Sequence, residues 1–195
     1  MTPDEFFQDP VAKMVAAFAF QAREDYAAAR CAVLNGHFSG FILAEQAAEK
    51  LLKAYVYMAL KTTGIPKLGH RLGDALELVK DKYPHLNLGR HQKILLRLQD
   101  YFEGKYPDLP RPSSLFQRST LEELAEVDEC VMDLFLNLPI PAPVGRGIGI
   151  MHFFHHQPHA SGFPDFHWIA TNNQPFADAW DRHLASGSPR QVDSK

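Results

Sequence analysis

Apolar and small residues recur at three- and four-residue intervals through most of the first 138 positions, the signature of helices that each bury one face. From Val11 to Leu34 the stripe is Ala12, Val15, Ala16, Ala19, Ala22, Tyr26, Ala29 and Val33, and Asn35-Gly36 tolerates the backbone of a helix end. A second helix is predicted from Ser39, as N-cap, to near Thr63-Gly64, with Phe41, Ala44, Ala48, Leu51, Leu52, Tyr55 and Ala59 inward. Glu45, Gln46, Glu49, Lys50 and Lys53 fall on its other side, and Glu49 and Lys53 are spaced to pair one turn apart. A third helix fits His70 to Lys82, and a fourth fits Leu88 to Glu103, with Gly104 just past its end. Pro107, Pro110 and Pro112 mark a loop. Ser119 and Thr120, each with a Glu three places on, suit the start of a fifth helix whose buried stripe runs from Leu121 to Phe135. Short links between long helices favour antiparallel neighbours. The expected fold is mainly α, an antiparallel up-and-down helical bundle of about five helices.

The pattern changes at Pro139, Pro141 and Pro143, a stiff connector. The chain therefore divides into a bundle at 1–138 and a Pro-, His- and aromatic-rich extension at 139–195, expected to pack on the bundle or on a partner subunit. In that extension the glycine-punctuated 145–151 and the aromatic 163–170 flank a turn-like 157–162, which leaves room for a hairpin in an otherwise irregular tail. Phe176, Ala179, Trp180 and Leu184, with Pro175 ahead of them, suit a last short helix.

The 195 residues carry a formal net charge of -3, and 46% are hydrophobic, the composition of an ordinary globular protein. Acids rather than bases precede the first helix and no apolar run is long enough to span a bilayer, so the expected location is the cytoplasm, away from membrane. Cys31 and Cys130 sit within helical patterns and read most simply as free thiols, with a disulfide between them left open until their geometry is known. Charge is uneven: 61–118 holds eleven Lys and Arg against six Asp and Glu, whereas 119–138 holds six acids and no base. That acidic run is expected to form a solvated helix face. The basic middle leaves nucleic acid open as a partner.

Three segments carry a family resemblance: Glu45, Gln46, Ala47, Glu49, Lys50, Leu51, Lys53 and Ala54 on helix two; Gly69-His-Arg-Leu72; and Lys105-Tyr-Pro-Asp108. Together they resemble the HEPN family, named for nucleotide-binding members in higher eukaryotes and prokaryotes, over Val11 to Leu138. The resemblance implies a helical bundle that commonly dimerises and leaves a polar cleft. It also implies a short range of roles: RNA-cleaving toxins, accessory chains of small nucleotidyltransferases, and nucleotide-binding modules.

In such a cleft Lys50, Lys53, His70, Arg71, Lys105, Arg111 and Arg118 offer donors for phosphate oxygens. Tyr106 can stack on a base, and Asp108 completes the candidate ligand-binding set. Each residue also has a structural reading. The two lysines can be solvated or paired with Glu49, His70 can satisfy a backbone group, and Tyr106-Pro107 can plug the bundle while Asp108 bonds turn amides.

The family's ribonucleases use an Arg, a polar residue, and a His a few positions on, with His as acid or base and Arg on the charged phosphorane. An Arg followed four to six positions later by His occurs here only at Arg146 and His152, in a glycine-rich stretch beyond the bundle. No catalytic residue is therefore assigned. His152, His155, His156 and His159 offer imidazoles to a metal, but strand alternation separates His155 from His156, and neither a metal nor another cofactor is expected. The paired Asp motif of a nucleotidyltransferase is missing, so any such activity belongs to another chain.

The reading is a HEPN-like, non-catalytic binding or accessory module, a homodimer taking a nucleotide or other phosphate-bearing ligand, with a small nucleotidyltransferase as a candidate partner. The alternatives are an RNA-cleaving toxin of a toxin–antitoxin pair and a protein–protein interaction module.

Overall fold

The computed structural model describes residues 8–62, 70–104, 120–138 and 165–185, and every ordered element among them is helical. We number the helices α1 (Pro10–Leu34), α2 (Gly40–Leu60), α3 (Leu72–Lys82), α4 (Gln92–Glu103), α5 (Thr120–Leu136), α6 (Asp165–Ala170) and α7 (Gln174–Ala185). The α1 start is set by Asp9, whose carboxylate accepts from the Val11 amide at 2.7 Å, with Pro10 in the first turn. Ser39 precedes α2 but makes no side-chain cap, because its own backbone is already helical. At the far end α2 stops at Leu60, earlier than the sequence suggested, on a left-handed Lys61 with φ 48°. His70 lies outside α3, which begins at Leu72. The expected fourth helix is divided: Leu88–His91 is a 3-10 turn, and the α-helix proper starts at Gln92.

Helix α2 is the hub, packing against α1, α3, α4 and α5. Its Phe41, Leu51, Leu52 and Tyr55 are buried with Tyr26 of α1, Leu72 and Leu76 of α3, Leu95 and Leu98 of α4, and Val131, Leu134 and Phe135 of α5. The closest approach of α1 and α2 depends on small residues. A Cβ on Gly40 would stand 2.5 Å from the Ala29 carbonyl oxygen and 2.6 Å from Val33 Cγ2.

The aromatic stretch suggested as one arm of a hairpin is helical over Asp165–Ala170, where Ile169 is buried in the shared core. The other arm, 145–151, lies outside the described residues. Aromatic content alone does not separate strand from helix, and burial of one helical face decides it here. Helix α7 follows, as the spacing predicts, with Pro175 in its first turn. Asn173 joins the two by accepting from the Phe176 amide at 3.1 Å and donating to Tyr26 Oη at 2.8 Å. Helix α6 packs on α1, and α7 packs on α5.

The acids of α5 do not form the solvated face expected of them. Glu122 and Glu129 are exposed, but Glu123 and Asp128 are buried and Asp133 is partly buried. Glu123 meets Arg97 and accepts from Tyr101 Oη at 2.5 Å. Asp128 meets Arg30 and accepts from Tyr26 Oη at 2.7 Å, while Asp133 lies 2.8 Å from His91 Nε2 and 2.9 Å from Arg90 Nη2. Each carboxylate turns inward because another helix supplies a donor, a pairing invisible in the local pattern. Both cysteines are free, Cys130 buried and Cys31 partly so.

Candidate functional site

Residues four apart on a helix share a face, so Glu45, Glu49 and Lys53 form one row along α2. The row does not face solvent. Glu45 is completely buried and Glu49 nearly so, whereas the sequence pattern placed both on the polar side. The chain leading into α3 brings His70 onto this row. Its Nδ1 stands 2.9 Å from Glu49 Oε2 and 3.8 Å from Glu45 Oε1. The other Glu49 oxygen, Oε1, is taken by the Lys53 ammonium. One carboxylate thus joins a lysine of the same helix to a histidine from the next element.

The imidazole is held from behind by Phe102 of α4, which stacks on it with centroids 4.0 Å apart and planes 29° apart. Phe102 is buried, but half of the His70 side chain (51%) remains exposed, so the cluster opens to solvent along the histidine. The facing atoms of Glu45, Glu49 and His70 all lie within 4.8 Å of one another. Chemically this is a small, partly buried patch with two carboxylates, one ammonium and one imidazole.

The sequence-derived candidates separate in space. Lys53 and His70 come together on Glu49. Lys50, three residues before Lys53, instead pairs with Asp25 of α1. Arg71 follows His70 but points its guanidinium to Asp74 at 3.1 Å, and 74% of its side chain is exposed. Lys105, Tyr106, Asp108, Arg111 and Arg118 lie outside the described residues, as do Arg146 and His152 and the histidines at 155, 156 and 159. Sequence reasoning missed Glu45 and Phe102 as members of the patch, and of Glu49 it read only the pairing with Lys53. A signal existed for the first, since Glu45 sits between Ala44 and Ala48 of the buried stripe.

A wider Arg-to-His spacing brings in Arg30 and His37, with Cys31 after the arginine. Arg30 is buried and occupied: its Nε donates to the Trp168 carbonyl at 2.8 Å, and its two terminal nitrogens meet Asp128 and the Thr171 carbonyl. Such an arginine is a structural bolt and has no open face for a phosphate.

Among the described residues no helix is long and apolar enough to cross a membrane. A family model described as "HEPN domain" matches residues 15–138, which contain α2 and the whole carboxylate–histidine patch. Comparison with curated proteins finds no match, and comparison with solved structures finds none either.

Proposed function

The chain belongs to the HEPN domain family, and we propose that within it this protein is a binding or accessory module rather than a catalyst. Its ligand is a nucleotide or another phosphate-bearing molecule, held beside α2 and the entry to α3. The observation that carries this reading is the convergence of Lys53 and His70 on Glu49, with Arg71 exposed at the next position. Arg71 and Asp74 form an exposed pair, a kind worth only about 0–1 kcal/mol, so a phosphate can replace Asp74 at little cost. The guanidinium then offers parallel donors to phosphate oxygens. Lys105, Tyr106 and Asp108 complete the set on the strength of the sequence motif, and Arg118 joins them as a further basic donor.

The non-catalytic part of the proposal rests on the sequence. The ribonuclease pairing of Arg, polar residue and His is missing from the bundle, and Arg30 is engaged elsewhere. In this reading the protein is a cytoplasmic homodimer, and a small nucleotidyltransferase supplies any transfer chemistry as a separate chain.

Calorimetric titration of the full chain with a panel of nucleotides tests the ligand. Saturable heat with at least one nucleotide, weakened in Arg71→Ala, is the expected result; no heat at millimolar concentration removes the proposal. Incubation with RNA in chelator tests the catalytic side. Intact RNA is expected, and cleavage abolished by His152→Ala would establish the toxin reading instead.

A further inference from the structure

We propose that Glu45, Glu49 and His70 form a binding site for a borderline divalent transition-metal ion, with zinc as its representative. The inference goes beyond the nucleotide reading and does not depend on it. The cluster is the one group of three such side chains found close enough together among the described residues.

Distances make the first argument. Zinc bonds imidazole nitrogen and carboxylate oxygen at about 2.0–2.2 Å, so tetrahedral ligands stand roughly 3.3 Å apart. His70 Nδ1 lies 2.9 Å from one carboxylate oxygen and 3.8 Å from the other, on either side of that value. On the histidine side, closing around an ion therefore needs shifts of a few tenths of an ångström, and the facing oxygens of the two carboxylates start no more than 4.8 Å apart. The donor set makes the second. One imidazole with two carboxylates suits zinc, manganese or cobalt, whereas magnesium and calcium prefer oxygen alone.

Orientation is already arranged. The Phe102 ring fixes the plane of His70 with Nδ1 toward the carboxylates. Lys53 occupies Glu49 Oε1 and leaves Oε2 to face the histidine, so lysine and metal would use different oxygens. Fixing a ligand through its outer contacts is how proteins tune metal sites. Three protein ligands leave a fourth position, on the side where His70 is exposed, for water or an anionic ligand.

The test uses the full chain with His152, His155, His156 and His159 changed to Ala, so that this histidine cluster of the tail takes up no metal. After dialysis against chelator, the protein is titrated with zinc by calorimetry and with cobalt by visible absorption, without nucleotide. The expected result is one equivalent of either metal and a cobalt d–d band. His70→Ala, at a half-exposed position, and Glu49→Gln should each weaken uptake at least about tenfold and remove the band. A merely structural role for these residues would not move that spectrum. No uptake in the micromolar range, or uptake weakened less than tenfold in both variants, overturns the site. Because nucleotide is absent throughout, this failure is distinct from a failure of the nucleotide titration.

Discussion

Arg30 of α1 and Asp128 of α5 meet in the interior with both side chains shut away from water, 0% and 3% exposed. Burying two charges is costly, and their attraction repays it only when the remaining donors are also satisfied. Here they are: the same guanidinium bonds the carbonyls of Trp168 and Thr171, at the end of α6 and just beyond it. Tyr26 Oη donates to the second Asp128 oxygen. One arginine therefore ties α1, α5 and the segment joining α6 to α7. Removing the guanidinium leaves the Asp128 carboxyl buried without its partner, so Arg30→Met should cost about 3–5 kcal/mol in urea unfolding. Hydrogen exchange separates this tie from simple packing. Arg30→Met should raise exchange in 165–185 more than in α3, and equal effects on both would reject it.

The carboxylates of α5 differ in their response to acid. Burial works against ionisation at Asp133, but the His91 hydrogen bond and the Arg90 charge outweigh it and hold the group below its ordinary value of 3.8. A carboxylate with a lowered native value stabilises the fold above its unfolded value, and the benefit is lost as pH falls through the native one. At Asp128 burial dominates over Arg30 and Tyr26 and raises the value, so its contribution has the opposite sign and improves on acidification. Stability measured against pH should therefore fall below about pH 4 less steeply in Asp133→Asn than in the parent, because the substitution removes a stabilising carboxylate titration. An unchanged acid limb would show that Asp133 does not contribute to it.

The helices were legible because each α-helical period leaves its mark on ten or more residues, and α2, α4 and α5 carry apolar stripes that their partners bury. Ends were read less well. Lys61 in the left-handed region and the 3-10 turn at Leu88–His91 follow from tertiary fit more than from local preference. The patch was legible only in part. Lys53 and Glu49 are a local pair that spacing reveals, but His70 meets Glu49 from outside that helix and Phe102 arrives from another helix. Burial of Glu45 and Glu49 has the same origin. Which side of α2 is covered depends on where α3 and α4 pack, and a sequence window does not contain that.

Two glycines should respond to alanine for different reasons. At Gly40 the added methyl would press on the Ala29 carbonyl and the Val33 side chain, and the backbone atom has little room to yield. Gly40→Ala should destabilise by about 1–3 kcal/mol through overpacking, exceeding the roughly 1 kcal/mol that alanine gains over glycine in a helix. At Gly36 there is open space, but φ is 79°, a region L-residues avoid. Gly36→Ala should cost about 1 kcal/mol from backbone strain alone. Gly36→Asn should recover part of it, because asparagine tolerates that conformation. Thermal melts of the three variants check the order, and a Gly40→Ala melt at or above the parent would show that α1 and α2 are not pressed together there.

Cys130 gives a probe of opening. Its thiol is fully buried on α5, and burial first, then the charges of Asp133 and Glu129, push its pKa far up, so the reactive thiolate is scarce in the native fold. Cys31 is only partly buried, at the end of α1. Ellman's reagent at pH 8 should therefore modify one thiol per chain quickly and the second only with unfolding, with Cys31→Ser abolishing the fast phase. Arg30→Met should accelerate the slow phase, since it loosens the contact between α1 and α5 that covers this part of the core. If both thiols react at the same rate in the parent, α5 is not closed against the bundle in solution, and the buried ion pair on the same helix would be open as well.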